Sequence, residues 1–83
     1  MNKVLVEIML PAADRIFDVY IPLDSNMGEV LQMVNMALSD LSEGKYQARK
    51  DAILCDAETG IIYNINLEVA ELEIKNGSRL LLI

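Results

Sequence analysis

The chain has 83 residues with 13 acidic and 7 basic side chains, so its formal net charge is −6. A negative balance of this size repels phosphate backbones and argues against nucleic-acid binding. Hydrophobic residues make up 53% of the sequence and are spread along it, which excludes a disordered segment and favours one folded domain over residues 1–83.

Alternating apolar residues predict an antiparallel hairpin at the start of the chain. The alternation runs over residues 3–10 and again over residues 16–21, as expected of two strands that each bury one face. Pro11 and Asp14 supply the turn between them.

A helix is predicted over residues 26–43. Asn26 and Glu29 have the spacing of a capping box, and Gly44 is a suitable C-terminal stop. Six apolar residues recur at helical spacing and define one face: Met27, Val30, Val34, Ala37, Leu38 and Leu41. This face is expected to pack on the sheet.

The second half of the chain reads as three short strands and one helical turn. In order, we predict a polar loop at 45–51, strands at 52–55 and 61–63, a helical turn at 67–72 capped by Asn66, and a last strand at 79–83 after the Asn76-Gly77 turn. The order β-β-α-β-β-β in about 80 residues is that of the ubiquitin-like β-grasp fold. We therefore predict an α+β protein with a mixed sheet of four to five strands packed on one helix.

Two stretches carry a more specific resemblance. Residues 17–22 (FDVYIP), followed by Met27, Val30, Leu31 and Val34, resemble the strand-to-helix passage of the YukD-like proteins, and residues 69–80 are similar to the end of those proteins. These are small bacterial ubiquitin-like proteins associated with type VII secretion. The resemblance implies a cytoplasmic accessory or regulatory component that acts through protein contacts, with the secretion machinery as the expected partner.

The end of the sequence bears on how such a protein would act. The last strand stops at Ile83 without a Gly-Gly tail, so we expect binding rather than conjugation. A sulfur carrier or conjugated modifier is the disfavoured alternative, and a structural homo-oligomer is a second one. Cys55 is the only cysteine and no apolar run reaches the roughly 18 residues of a membrane span, so we expect a cytoplasmic chain without direct membrane insertion.

Catalytic and metal-binding patterns are missing from the sequence. It has no histidine, no phosphate-binding Gly-rich loop and no Cys-Xaa-Xaa-Cys. Cys55 is followed by Asp56, whose charge would raise the pKa of the thiol, and the Asp56–Glu58 loop lacks the ordered oxygen spacing of a Ca²⁺ site. We expect no enzymatic activity, no cofactor and no metal.

The candidate site is the face of the sheet turned away from the helix. If Leu80 and Leu82 face the helix, Leu81 and Ile83 face outward, and if Ile53 and Cys55 face inward, Leu54 also faces outward. The predicted partner-binding patch is Leu5, Met9, Leu54, Leu81 and Ile83. Partner binding, self-association and no role all remain open, because a slip of one residue in register would turn these side chains inward.

Overall fold

The computed structural model describes residues 2–83, which form four strands and one α-helix. Their bounds are β1 Lys3–Leu10, β2 Arg15–Pro22, α1 Met27–Leu41, β3 Leu54–Asp56 and β4 Arg79–Leu82, with short 3-10 helices at Pro11–Ala13 and Val69–Leu72. The strand order in the sheet is β2-β1-β4-β3. Strands β1 and β4 are parallel and the other two neighbouring pairs are antiparallel. This mixed sheet with one helix confirms the predicted α+β class.

The β1–β2 hairpin has an uninterrupted register from Lys3↔Pro22 to Leu10↔Arg15. Its loop closes because Asp14 adopts a left-handed backbone (φ 53°) and donates its N–H to the Pro11 carbonyl at 3.1 Å. Aspartate tolerates that conformation better than most residues. Because side chains alternate along each strand, this register fixes which hairpin residues point away from the core.

Helix α1 begins where the sequence predicts it. The side chain of Asn26 accepts the Gly28 N–H at 2.7 Å, which satisfies one of the unpaired donors of the first turn. The helix ends at Leu41, two residues before the predicted end, because Glu43 already has a left-handed backbone (φ 57°). Its buried face is Met27, Val30, Val34 and Leu38.

The core lies between α1 and one face of the sheet. The helix residues just named pack with the even-numbered residues of β1 and with Leu80 and Leu82 of β4. Val6, Ile8 and Leu80 have no exposed surface. The alternate residues of the same strands therefore lie on the other face, which α1 does not cover.

Two segments of the second half differ from the prediction. Residues 61–63 form one β-bridge, Cys55↔Ile62, instead of a strand, since the chain bonds to β3 there over only a few residues. The helical turn at Val69–Leu72 is capped by Glu68 and not by Asn66. The Glu68 N–H donates to Oε1 of Glu71 at 3.0 Å, as in a capping box.

The loop at 45–51 is attached to α1 by Asn35. The Asn35 Nδ2 donates to the Arg49 carbonyl at 2.6 Å, and its Oδ1 accepts the Arg49 N–H at 3.3 Å and the hydroxyl of Tyr46. Tyr46 is buried in the core cluster. The side-chain amide of Asn35 thus bonds to both ends of the turn from Tyr46 to Arg49. The sequence alone had indicated no role for this loop.

Replacing Asn35 by alanine is expected to lower the free energy of unfolding by about 1–3 kcal/mol, because the Tyr46 hydroxyl loses its side-chain partner. Urea denaturation of the wild type and the variant measures this change. The control is Gln32→Ala, one turn earlier on an exposed position of α1, which should change the stability by less than about 0.5 kcal/mol. Equal effects of the two substitutions would contradict the role of Asn35.

Candidate functional site

A row of apolar side chains crosses the outer face of the sheet, meaning the face turned away from α1. The register pairs Met9 with Ile16 on β2 and with Leu81 on β4, and Leu81 with Cys55 on β3. The bridge from Cys55 to Ile62 extends the series by one more residue. Residues paired in this way point to the same face and lie about 4.5–5.5 Å apart at Cβ. We call these five residues, Ile16, Met9, Leu81, Cys55 and Ile62, the outer-face row.

Much of the outer-face row is open to solvent. Ile16 and Ile62, at its two ends, are 59% and 58% exposed, and Met9 is 37% exposed. Leu81 is half-buried and Cys55 is buried. Single exposed apolar residues are ordinary, but apolar residues aligned across a whole sheet make this face a candidate interaction surface.

The prediction that Leu54 faces outward is wrong. Leu54 pairs with Leu82, is 3% exposed and belongs to the core. Cys55 pairs with Leu81 and occupies the outward position instead. The physical reason is the register of the two strands. The even-numbered residues of β4 are buried, and the antiparallel pairing sets the even-numbered residues of β3 opposite them, on the same face of the sheet.

Leu5 is on the outer face, as predicted, but it is separated from Met9. A polar series lies between them, in which Asp18 pairs with Glu7 and Glu7 pairs with Arg79. The Arg79 Nε lies 3.7 Å from the Glu7 Oε1. The predicted patch is therefore not continuous at this point.

Ile83 extends the apolar surface beyond the row. It is 43% exposed, and Ile53 exchanges two backbone hydrogen bonds with it, at 2.9 and 3.0 Å. The structure thus brings Met9, Leu81 and Ile83 together on the outer face. Sequence reasoning left out two residues of the surface, Ile16 and Ile62. The outward position of Ile16 could be recognised from the sequence, because neighbouring residues of a strand face opposite sides and Phe17, next to it on β2, is half-buried.

Cys55 carries the one thiol of the chain, and this thiol is buried. Burial raises the pKa of the thiol, and the nearby Asp56 carboxylate raises it further. Its Sγ lies 3.8 Å from the carbonyl oxygen of Leu81, to which the thiol donates a weak hydrogen bond. Burial and the Asp56 charge likewise raise the pKa of the neighbouring Tyr63 to about 12.

Alkylation of Cys55 is expected to be slow in the folded protein. A raised thiol pKa leaves little thiolate at neutral pH, so iodoacetamide should react at least roughly tenfold more slowly than in urea. Asp56→Asn is the matched variant, because it keeps the Oδ1 that accepts the Glu58 N–H but removes the charge. Mass spectrometry of timed samples should show faster labelling of this variant, and equal rates for folded and unfolded wild type would contradict the assignment.

A groove on the helix side has a volume of about 800 Å³. Met36 and Ile65 are its large exposed apolar residues, Leu31 is half-buried, and Arg49 and Lys50 form part of its wall. None of the five residues predicted for the site lines it. Between residues 2 and 83 there is no cluster of three metal-ligating side chains, and no helix in that range has the length and hydropathy to cross a membrane.

Comparisons of sequence found no matching family model and no matching curated protein. Comparison of structures found clear similarities. The ubiquitin-like domain of the Mycobacterium tuberculosis type VII secretion system protein EccD1 superposes with a TM-score of 0.79 at 16% identity, covering 100% of this chain and 99% of that one. The EccD5 ubiquitin-like domain of Mycobacterium xenopi has a TM-score of 0.71 at 24% identity, with 100% and 94% coverage.

The same fold also occurs in a different functional setting. A chain from the toluene 4-monooxygenase complex superposes with a TM-score of 0.80 at 11% identity, covering 98% of this chain and 96% of that one. Similarity at this level of identity fixes the architecture and leaves function to be argued from the site. The chain has the ubiquitin-like β-grasp fold, the fold of the type VII secretion domains of EccD.

Proposed function

We propose that the chain is a non-catalytic, YukD-like interaction module that serves bacterial type VII secretion on the cytoplasmic side of the membrane. Two findings support this: the fold is that of the EccD ubiquitin-like domains, and the sequence resembles the YukD-like proteins over residues 17–22 and 69–80. The module would act by docking onto a protein of the secretion machinery.

The observation that carries the proposal is the outer-face row. It exposes Ile16, Met9 and Ile62 in a row that crosses all four strands of the sheet. Burial of such side chains stabilises a complex by about 25 cal/mol for each Å² of apolar surface removed from water. This hydrophobic effect is the main driving force of most protein association. The acidic charge of −6 would steer a partner whose rim around the apolar centre is basic.

A capture experiment from the native host tests this proposal. The tagged wild type is compared with the Ile16→Glu/Ile62→Glu variant and with Met36→Glu/Ile65→Glu, a control that places two glutamates at exposed apolar positions on the helix side. We expect the wild type and the control to capture type VII secretion components and the row variant to lose them. Circular dichroism establishes that all three are folded.

Two results would contradict the proposal. Equal capture by all three proteins would keep the partner but reject the row as its site. If the wild type captures no secretion component and forms a dimer that the row variant dissociates, the surface is a self-association face and the secretion role loses its support.

A further inference from the structure

Strand β2 is an open edge of the sheet, and its free hydrogen-bonding groups can be identified one by one. In β1, the N–H groups of Leu5 and Glu7 bond to Asn76 and Ser78, on the side of β4. The odd-numbered residues of β1 therefore face β4 and the even-numbered ones face β2. Since Val6 pairs with Val19, the odd-numbered residues of β2 bond to β1.

The even-numbered residues of β2 consequently direct their backbone groups away from the sheet. Before the terminal Pro22, which has no N–H, these are Ile16, Asp18 and Tyr20, and no described residue makes a backbone hydrogen bond to any of the three across this edge. All three side chains are exposed. The edge thus presents three N–H and three C=O groups in the spacing of a regular antiparallel strand.

This edge lacks most of the features by which proteins block unwanted strand pairing. Natural edges are commonly short, bulged, covered or interrupted by proline. Strand β2 has eight residues, all in continuous register with β1, and its proline is the last of them. The exception is Asp18, which is the one charged residue among the three free positions and lies at their middle.

Asp18 argues against pairing with a second copy of the chain. An antiparallel pair of β2 strands that uses all three free residues of both copies places Ile16 opposite Tyr20 and Asp18 opposite Asp18. Like charges directly opposite each other destabilise a strand pair. Within the chain, Asp18 also lies opposite Glu7 on β1, and the one ion-pair partner of Glu7 among residues 2–83 is Arg79, at 3.7 Å.

We propose that β2 binds an extended segment of another protein by strand addition, with a lysine or arginine of that segment opposite Asp18. The added strand would pair with the free groups of Ile16, Asp18 and Tyr20 and cover the half-buried Phe17 and Val19 on its inner side. Main-chain hydrogen bonds supply affinity in this mode of recognition, and the alternate side chains supply specificity. The proposal does not depend on the outer-face row.

The test uses a nine-residue peptide with blocked ends, in which threonine and valine alternate on both sides of a central lysine. Amide hydrogen exchange is followed by NMR with and without the peptide. We expect added protection at the Ile16, Asp18 and Tyr20 amides, and binding roughly tenfold tighter than that of the same peptide with a central glutamate, about 1.4 kcal/mol.

Three variants at one position separate the parts of the proposal. Asp18→Pro removes a donor that β1 does not use, so it should fold and lose the protection at Ile16 and Tyr20. Asp18→Asn keeps the donor, and should bind both peptides with similar affinity. Asp18→Lys should prefer the glutamate peptide, and these two variants carry the test if the proline variant does not fold.

Several results would overturn the proposal. Absence of protection at the three amides at the highest soluble peptide concentration would reject strand addition. Unchanged binding by Asp18→Pro or Asp18→Lys would place the peptide elsewhere. Protection of the same amides that grows with protein concentration and needs no peptide would show that a second copy occupies the edge. None of these measurements depends on whether the outer-face row binds a secretion component.

Discussion

Leu38→Ala is expected to destabilise the protein by about 2–5 kcal/mol, the usual cost of emptying a leucine site in a core. Leu38 has no exposed surface and lies in the face by which α1 packs on the sheet. Small domains have only about 5–15 kcal/mol of stability in total. The variant should therefore unfold at a much lower urea concentration, measured by circular dichroism.

The matched control for this variant is Leu41→Ala in the same helix. Leu41 is 53% exposed and is the last residue of α1, so the same substitution should cost less than about 1 kcal/mol. Similar costs at the two positions would mean that the packing of α1 on the sheet is not as described.

The Ile16→Glu/Ile62→Glu variant is expected to weaken binding to a captured secretion component by roughly 100-fold, about 3 kcal/mol. Each substitution exchanges an apolar side chain at one end of the outer-face row for a charge that must be desolvated in the complex. Titration calorimetry with the purified component measures the dissociation constant.

The stability of this variant is its internal control. Both positions are more than half exposed, at 59% and 58%, so the free energy of unfolding should change by less than about 1 kcal/mol. A dissociation constant within threefold of the wild type would show that the row contributes little. Met36→Glu/Ile65→Glu should bind like the wild type, because both residues lie on the helix side.

The sequence predicted the architecture because each local signal agreed with the others. The alternation of apolar residues predicted the bounds of β1, Lys3–Leu10, correctly. Asn26 caps α1, as its position in the sequence indicated. The hydrophobic spacing also identified all four buried residues of α1. These features depend on neighbours within a few positions, so local chemistry is enough to determine them.

The site was predicted less completely because it depends on pairings between distant parts of the chain. Alternation within residues 52–55 does not say which set faces inward, and the pairing of Leu54 with Leu82 decides it. The bridge that brings Ile62 beside Cys55 likewise joins two segments across a turn. Leu5 and Met9 share a face as expected, but only the register shows the Asp18–Glu7–Arg79 series between them.

We expect a secretion partner to dock on the outer-face row. Radical footprinting of the free protein and of its complex with the captured component tests this most directly, since it reports the solvent exposure of individual methionine and isoleucine side chains. We predict lower oxidation of Met9, Ile16 and Ile62 in the complex and unchanged oxidation of Met36 and Ile65. Protection of Met36 and Ile65 with an unchanged row would contradict the account and move the docking surface to the helix side.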